Sequence, residues 1–255
     1  MKNLKLFFLT LIAGFGLSIN AQTADEIIET YLENIGGKEN LAKIESILMT
    51  GVVNAQGMEI PIKTVSTNDG KMYLEIDMQG NKIKQLISDG KKVYNMNMMN
   101  QKMEEMPSDL SKVMINEFKD FPNPFIAYKE KGYTAEFIGK DTTEDGTEVL
   151  KVKLTKKPIT IDGEESANES IYYFDAENYV PIVIETEIPT GPAKGQKMKT
   201  PLSDYQEVDG MYFPFSTAMQ GMPMNYKTIE LNPKIEDKDF ELPEAAATPD
   251  ADKKN

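Results

Sequence analysis

The fold of this chain is decided by one stretch near its C-terminus, Ser203-Asp204-Tyr205-Gln206-Glu207-Val208-Asp209-Gly210-Met211-Tyr212-Phe213-Pro214-Phe215. The pair Asp209-Gly210 supplies the positive φ angles that a tight turn between two antiparallel strands requires. After the turn, a period of two places the large apolar residues Met211, Phe213, Phe215 and Met219 on one face. Pro214 indicates a sheet edge or a bulge at its position. The stretch therefore predicts a hairpin with one half-buried face.

The same unit of strand, polar turn and strand recurs along most of the chain. Lys71 to Gln79 alternates between apolar and polar residues. Turns between consecutive strands include Asn68-Asp69-Gly70 and Asp89-Gly90 in this part of the chain and Asp145-Gly146 further on. Short turns of this kind make consecutive strands antiparallel neighbours. We count about eleven strands, including one at residues 198–206, and interpret residues 156–168 as a polar loop. An open sheet of about eleven strands must curl, split or close.

Two helices interrupt the strands. Thr23 and Glu26 form a capping box before an apolar stripe at helical spacing, and Gly36-Gly37 ends that helix. A second helix is predicted from Pro107 to Lys119, in the middle of the strand pattern. The predicted fold class is mainly β with α: a single large curled antiparallel sheet, an unclosed β-barrel, whose inner side the two helices cover.

Composition excludes several classes of function. The 255 residues contain no cysteine, histidine or tryptophan, and we find no arginine, so zinc sites of the Cys/His type and Ser-His-Asp triads are excluded. The net charge of -13 opposes binding to nucleic acid. The acidic pairs Glu104-Glu105, Glu164-Glu165 and Asp237 with Asp239 lie in polar surroundings and are interpreted as solvated surface. We expect no catalysis, no cofactor and no metal site.

Both ends of the chain differ from the strand-rich part. Residues 1–21 begin with Lys2 and Lys5, continue with an apolar run from Leu6 to Leu17 and end at small Ala21, as in a secretory signal peptide. The apolar run is too short for a membrane span. No cysteine follows it, so the exported protein is not itself a lipoprotein. We predict one domain over residues 22–243 and a disordered tail over residues 244–255, which carries little apolar bulk.

Large flexible side chains mark a candidate site for an apolar ligand. Five of the 16 methionines fall within eleven residues. Asn95 precedes them and Asn97 and Asn100 interrupt them, which is unusual for plain core. The alternative is that these methionines and the phenylalanines after the turn simply fill the core. The predicted lipid-binding residues are Met96, Met98, Met99, Met103, Met106, Phe213, Phe215 and Met219.

The chain resembles the outer-membrane lipoprotein-sorting proteins of LolA/LolB-like fold, in a divergent periplasmic form. The resemblance lies in these segments: Ala24 to Tyr31, Ile35-Gly36-Gly37, Met49-Thr50-Gly51, Tyr128 to Tyr133, Tyr172 to Asp175, Tyr179 to Ile182, Ser203 to Phe215 and Ile229 to Pro233. The resemblance implies an unclosed β-barrel with a helical lid that binds the acyl chains of lipoproteins or lipids in the periplasm.

Two functions follow from these observations. The first is a non-catalytic periplasmic carrier or binding protein for acyl-bearing ligands, acting as a monomer. The second is an envelope module that uses the same fold to hold a protein partner. The apolar segment Phe121-Pro122-Asn123-Pro124-Phe125 is the best feature for the second function. The alternative, which we favour for this segment, is a loop clamped onto the domain's own core.

Overall fold

The computed structural model describes residues 22–161, 163–190, 193–219 and 221–243, without the side chain of Met219. The signal peptide predicted for residues 1–21 and the tail predicted for residues 244–255 lie outside these residues. The helices are α1 (Ala24–Asn34), α2 (Lys38–Leu41), α3 (Ser108–Phe118) and a 3-10 turn at Asp237–Phe240. The strands are β1 (Ser46–Ala55), β2 (Met58–Thr67), β3 (Lys71–Met78), β4 (Asn81–Asp89), β5 (Val93–Asn97), β6 (Lys102–Glu105), β7 (Thr134–Thr142), β8 (Glu148–Thr155), β9 (Ile159–Ile161), β10 (Glu164–Ser166), β11 (Glu169–Asp175), β12 (Pro181–Glu187), β13 (Lys197–Pro201), β14 (Ser203–Val208), β15 (Met211–Met219) and β16 (Met222–Leu231).

The strands form two large antiparallel sheets. One has nine strands in the order β14-β15-β16-β1-β2-β3-β4-β5-β6, and it does not close on itself. The other has five strands in the order β13-β12-β11-β8-β7, and β9 pairs with β10 in a separate hairpin. The chain passes from the edge of one large sheet to the edge of the other at Leu202, whose N–H donates to the carbonyl of Ile182 at 2.9 Å. The predicted fold class, a large unclosed antiparallel sheet with few helices, is confirmed.

The hairpin that opens the sequence analysis forms as predicted. Val208 pairs with Met211, and the two residues between them have φ angles of 51° and 79°. Pro214 lies in the half of β15 that pairs only with β14, because pairing with β16 begins at Ser216. In that half, the N–H of Tyr212 donates to the carbonyl of Ile35 at 3.0 Å, so the end of α1 takes the position of a neighbouring strand.

The first helix packs between the two large sheets. Its capping box is present, since Thr23 accepts from the N–H of Glu26 and Glu26 accepts from the N–H of Thr23. Its apolar stripe enters the main core, which contains residues of both sheets. The helix contributes Ile27, Ile28, Tyr31 and Leu32; the nine-stranded sheet contributes Ile47, Met211, Phe215 and Ile229; the five-stranded sheet contributes Leu150, Val152, Leu154, Tyr172 and Phe174.

The nine-stranded sheet buries residues on both faces. Met49 packs against the main core, and Val53, four residues along the same regular strand, packs in a second cluster on the same face. We call this the inner face. Leu48 points to the opposite, outer face, where it packs against a third cluster made of Val65, Tyr73, Ile87 and Phe240. The segment that ends in the 3-10 turn at Asp237–Phe240 therefore covers part of the outer face.

Three local features differ from the sequence prediction. Residues 156–168, expected as a polar loop, contain the β9–β10 hairpin. The strand expected at residues 198–206 is divided at Leu202, where the chain changes sheets. A sixth strand, β6, pairs with β5 within the methionine-rich segment. In the part of the chain that the structure describes, no helix has the length and apolar character needed to cross a membrane.

Candidate functional site

The second cluster on the inner face is the candidate site, and we call it the inner strip. Its buried members are 4–6% exposed, and its remaining members are half-buried. The buried members are Val53, Ile62, Leu74 and Met224; the half-buried members are Ile60, Ile76, Leu86, Met222 and Tyr226. Five neighbouring strands supply these residues, in the order β16-β1-β2-β3-β4. The strip is therefore a continuous apolar surface across the middle of the nine-stranded sheet.

The inner positions of β1 to β4 carry no charged side chain. Strand pairing and alternation assign every second residue of β1, β2 and β3 to the inner face. These residues are Met49, Gly51, Val53 and Ala55 of β1; Met58, Ile60, Ile62, Thr64 and Ser66 of β2; and Met72, Leu74, Ile76 and Met78 of β3. On β4 a bulge at Gln85, between the pairs Leu74–Leu86 and Glu75–Lys84, interrupts the alternation, and Leu86 lies on this face. The lysines of these strands, such as Lys63 and Lys84, lie over the ring of Tyr73 on the outer face. The inner strip is thus suited to an uncharged apolar ligand.

Tyr226 joins the inner strip to the main core, since its ring packs against both clusters. Burial raises the pKa of its hydroxyl to about 12, and the neighbouring hydroxyl of Thr64 acts in the opposite direction. The register of β16 against β1 shifts beside Tyr226, because Thr50 pairs with Thr228 and Gly51 with Tyr226. This bulge therefore lies at the boundary between the main core, which contains α1, and the inner strip.

The mid-chain helix α3 lies at one end of the sheet and is fastened there by a buried ion cluster. It contacts β3, β5 and β9, and it buries Ser111 and Ile115. At its C-terminal end, the ammonium of Lys156 lies 2.7 Å from Glu117 and 2.8 Å from Asp120. Asp120 also contacts Lys131 and accepts from the hydroxyl of Tyr133, each at 3.1 Å.

The charge state of Lys156 follows from these contacts. Burial opposes its ammonium form, but the carboxylates of Glu117 and Asp120 outweigh burial and raise its pKa. Its side chain is 5% exposed and that of Asp120 is 7% exposed, so both charges are nearly removed from water. The cluster ties α3 to the end of β8, and the position of α3 depends on it.

A separate small pocket lies between α1 and residues 125–130. Its volume is about 150 Å³, and its lining consists of Asp25, Ile28, Glu29, Leu32, Lys38, Phe125, Ala127, Tyr128, Lys129 and Glu130. Hydrogen bonds from Lys129 and Tyr128 hold the pKa of Asp25 below its usual value. Ligand pockets usually enclose about 300–1,000 Å³. The pocket is therefore small for an acyl chain, and its rim is charged.

The methionines of the predicted site lie away from the inner strip. Met96 pairs with Met103, and Met103 packs against the cluster on the outer face. Met98 and Met99 are 70% and 94% exposed at the tip of the β5–β6 hairpin. Met106 is half-buried and donates its N–H to the carbonyl of Val93 at 2.8 Å, just before α3.

The predicted phenylalanines lie on the inner face, within the main core. Phe215 is 7% exposed and Phe213 is half-buried beside it, while the side chain of Met219 is outside the described residues. The seven predicted site residues with described side chains are therefore not brought together. Met96 and Met103 lie on the outer face, Met98 and Met99 at a hairpin tip and Met106 beside Val93, whereas the two phenylalanines pack near α1.

The apolar segment at residues 121–125 turns inward. Phe125 is 2% exposed and makes edge-to-face contacts with Tyr31 and Tyr172. Asn123 donates from Nδ2 to the hydroxyl of Tyr31 at 2.7 Å. Of the two interpretations of this segment, a loop clamped onto the domain's own core describes its position in the structure.

The acidic pairs have local partners. Glu104 accepts from Asn97 at 2.9 Å and from Asn100 at 2.7 Å, and Glu105 pairs with Lys92 at 2.7 Å. Glu164 and Glu165 are exposed on β10. In the described ranges, no three His, Cys, Asp or Glu side chains are grouped so that they could hold a metal ion.

Comparisons with known proteins bear on the fold. Neither a protein-family model nor a curated protein sequence matches the chain. Among solved structures, a LolA superfamily protein from Nitrosomonas europaea matches 87% of this chain and 98% of its own, at 12% identity and a TM-score of 0.50. The chain has the LolA fold. A domain named as an outer membrane lipoprotein-sorting protein, from Vibrio parahaemolyticus, matches 85% of this chain and 97% of its own at 14% identity and a TM-score of 0.47. The assignment of the LolA fold rests on the first of these two structures.

Sequence reasoning identified the apolar faces of the LolA-like sheet but not the inner strip. The alternation of Ile60 with Ile62, and of Leu74 with Ile76, was visible strand by strand. The sequence does not show which strands lie side by side. β16 comes from the other end of the chain, and its pairing with β1 cannot be read from residues close in sequence. The methionine cluster gives a stronger local signal, and the sequence prediction combines it with Phe213, Phe215 and Met219.

Proposed function

We propose that this protein is a non-catalytic carrier or binding protein of the cell envelope that takes up acyl-bearing ligands, lipoproteins or lipids. In this proposal, residues 1–21 direct export to the periplasm, residues 22–243 form the binding domain, and the protein acts as a monomer. The LolA fold and the sequence resemblance to lipoprotein-sorting proteins support it. The observation that carries it is the inner strip, an uncharged apolar surface on the same face of the nine-stranded sheet as the main core.

The energetics of the strip suit a hydrocarbon ligand. Each methylene group that leaves water for an apolar surface contributes about 0.8 kcal/mol. An acyl chain needs no hydrogen bonds along its length, and the inner positions of β1 to β4 offer apolar side chains almost throughout. Phe213, half-buried on the same face, extends the apolar surface towards α1.

Binding requires part of the structure to move. The buried members of the strip are 4–6% exposed, so a ligand reaches them only when the groups above them are displaced. The element we propose to move is α3, because it contacts β3 and β5 and presents half-buried apolar side chains that a ligand could replace: Leu110, Val113, Met114 and Phe118. The Lys156 cluster would hold α3 in place when no ligand is bound.

The test is direct binding of a fluorescent 16-carbon fatty acid, measured by fluorescence anisotropy with the purified protein. We expect Ile76→Lys, on the inner strip, to weaken binding at least about tenfold, because a lysine there brings an unpaired charge to an apolar surface. The matched control is Met103→Lys, an equally half-buried position on the outer face, which should bind as the unchanged protein does. Circular dichroism establishes that both variants fold.

The other outcomes separate the remaining possibilities. If Met103→Lys weakens binding and Ile76→Lys does not, the ligand occupies the methionine cluster, and the inner strip is not the site. If the unchanged protein binds the probe no better than an ordinary globular protein, the carrier proposal fails. A stoichiometric protein partner recovered from envelope extract would then favour the interaction module.

A further inference from the structure

The β5–β6 hairpin brings together methionines that the proposed acyl site does not use. Met96 and Met103 pair directly across the two strands. Both lie on the outer face, because Tyr94, two residues before Met96, pairs with Ile87 of the cluster on that face. Residues at directly opposed positions have Cβ atoms about 4.5–5.5 Å apart, so two flexible thioethers there can reach one point. The pair therefore offers two sulfur atoms on one surface.

Met98 supplies a third thioether at the tip of the same hairpin. Strand β5 ends at Asn97, and alternation continued by one residue directs Met98 to the side of Met96. Met98 is 70% exposed, whereas Met99, one residue further into the turn, is 94% exposed. Neither side chain belongs to a hydrophobic cluster of the described residues. Packing therefore does not account for a methionine at position 98, and its sulfur is open to a ligand.

Hydrogen bonds hold the backbone of this tip in place. The carboxylate of Glu104 accepts from the side-chain amides of Asn97 and Asn100, at 2.9 Å and 2.7 Å. The side-chain oxygen of Asn97 accepts from the N–H of Met99 at 2.9 Å. The backbone that carries Met98 is therefore ordered before any ligand binds, which lowers the entropy lost on binding.

The chemistry of thioethers specifies the ligand. A thioether is a neutral, soft donor that selects Cu(I), whereas calcium and magnesium ions take oxygen ligands. The chain contains no cysteine or histidine that would compete for a soft ion. Its net charge of -13 favours a cation, and the charged residues between Val93 and Glu105 are one lysine and two glutamates, so the hairpin carries no excess of positive charge.

We propose that Met96, Met98 and Met103 form a thioether site for Cu(I). The site lies at the free edge of the nine-stranded sheet, because β6 is its last strand, and an ion can approach it from solvent. Met103 packs against the cluster on the outer face, which anchors one ligand position. The inference goes beyond the proposed function and does not depend on it, because the inner strip occupies the opposite face of the sheet.

The experiment titrates Ag(I), a monovalent ion with the same soft ligand preference that air does not oxidise, into protein labelled with ¹³C at its methionine methyl groups. In chloride-free buffer, we expect Ag(I) to saturate at a single ion per chain and to shift the NMR signals of Met96, Met98 and Met103. The signals of Met58 and Met99 should not move. Cu(I), supplied as its acetonitrile complex under argon, should shift the same three signals. Single Met→Leu variants assign them.

The variants separate the site from exposed methionines in general. Met96→Leu and Met103→Leu keep the side-chain volume and remove the sulfur, so each should fold normally and bind Ag(I) at least about tenfold more weakly. Met58→Leu is the matched control, since Met58 is 60% exposed at another turn of the same sheet, and it should bind as the unchanged protein does. Ag(I) should raise the unfolding midpoint of the unchanged protein and of Met58→Leu more than that of Met96→Leu.

Several results would overturn the thioether site. If Ag(I) shifts Met58 and Met99 together with Met96 and does not saturate, the methionines act as independent surface groups. If Met96→Leu or Met103→Leu binds Ag(I) as tightly as the unchanged protein, the cross-strand pair does not ligate the ion. Failure of Cu(I) to shift the three signals would remove Cu(I) as the ligand. A protein that takes up a single Ag(I) but no fatty-acid probe would keep the metal site and lose the proposed function.

Discussion

At the scale of single residues, the contribution of the Lys156 cluster to stability can be measured directly. The cluster consists of Lys156, Glu117, Asp120, Lys131 and Tyr133. Lys156 and Asp120 are each almost fully buried, and each is the other's partner at 2.8 Å. Charges withdrawn from water are stable only while they remain paired, so the loss of one partner costs far more than the pair itself contributes. Asp120 keeps Lys131 and Tyr133 if Lys156 is lost, but Lys131 is the more solvated of the two lysines.

We expect Lys156→Met to lower the free energy of unfolding by about 3 kcal/mol, since it leaves Asp120 buried and under-paired. The measurement is urea unfolding at pH 7. Lys153→Met is the matched control, because Lys153 pairs with Glu136 at 3.0 Å on a solvated surface where both side chains are 30% or more exposed. Loss of an exposed pair should cost less than about 1 kcal/mol. Equal losses in the two variants would contradict a buried, structural role for Lys156.

At the scale of elements, the pairing of β1 with β16 completes the inner strip, because it places Met222, Met224 and Tyr226 beside the residues of β1. These strands come from opposite ends of the described chain and meet with a bulge between Thr228 and Tyr226. Gly51 lies opposite the bulge, where the backbone of β16 approaches so closely that a side chain has no room. A β-carbon at this position would lie 2.2 Å from the carbonyl oxygen of Asn225 and 2.7 Å from the Cα of Tyr226.

We expect Gly51→Ala to destabilise the protein by about 1–3 kcal/mol, as overpacking against fixed backbone does. It should also weaken the binding of acyl probes, because Tyr226 moves with the β16 backbone. Asn54→Ala, an exposed change on the same strand, serves as the control and should alter the unfolding midpoint little. A Gly51→Ala protein as stable as the original would show that β16 can shift without cost.

At the scale of the whole molecule, the pKa values of the buried tyrosines are raised because the two sheets and α1 exclude water from their hydroxyl groups. Burial raises the pKa values of Tyr31 and Tyr226 to about 12, and neighbouring carboxylates add to the effect at Tyr133 and Tyr173. Burial also raises the pKa values of Tyr128, Tyr172 and Tyr205. Raised values therefore occur in the main core, at the ion cluster and beside the inner strip.

The folded protein should resist ionisation of these tyrosines at pH 11. Spectrophotometric titration at 295 nm should find fewer than half of the 11 tyrosines ionised, whereas all are expected to approach the ordinary pKa of about 10 in guanidinium chloride. Because the raised groups hold their protons longer when folded, their contribution to stability is complete below about pH 10 and is lost as the pH rises towards about 12. Native and unfolded titrations that coincide, with circular dichroism still native, would contradict this burial.

Much of the fold followed from local sequence. Asp209-Gly210 fixed the hairpin between β14 and β15, Thr23 and Glu26 fixed the start of α1, and alternation identified the faces of β2 and β3. These features are predictable because a turn, a cap and a period of two depend on residues within a few positions of each other. Extended polar segments were less predictable, and the β9–β10 hairpin has no comparable local signal.

The sequence by itself determined the fold class, the absence of histidine and cysteine chemistry, and the apolar character of each strand face. Only the tertiary structure decided which faces meet. It placed Met103 on the outer face in the same cluster as Phe240, put Phe215 into the core with α1, and joined Met224 to Val53 and Leu74 across four adjacent strands. Alternation assigns a residue to a side of its own strand, but the pairing of β16 with β1 depends on contacts between distant parts of the chain.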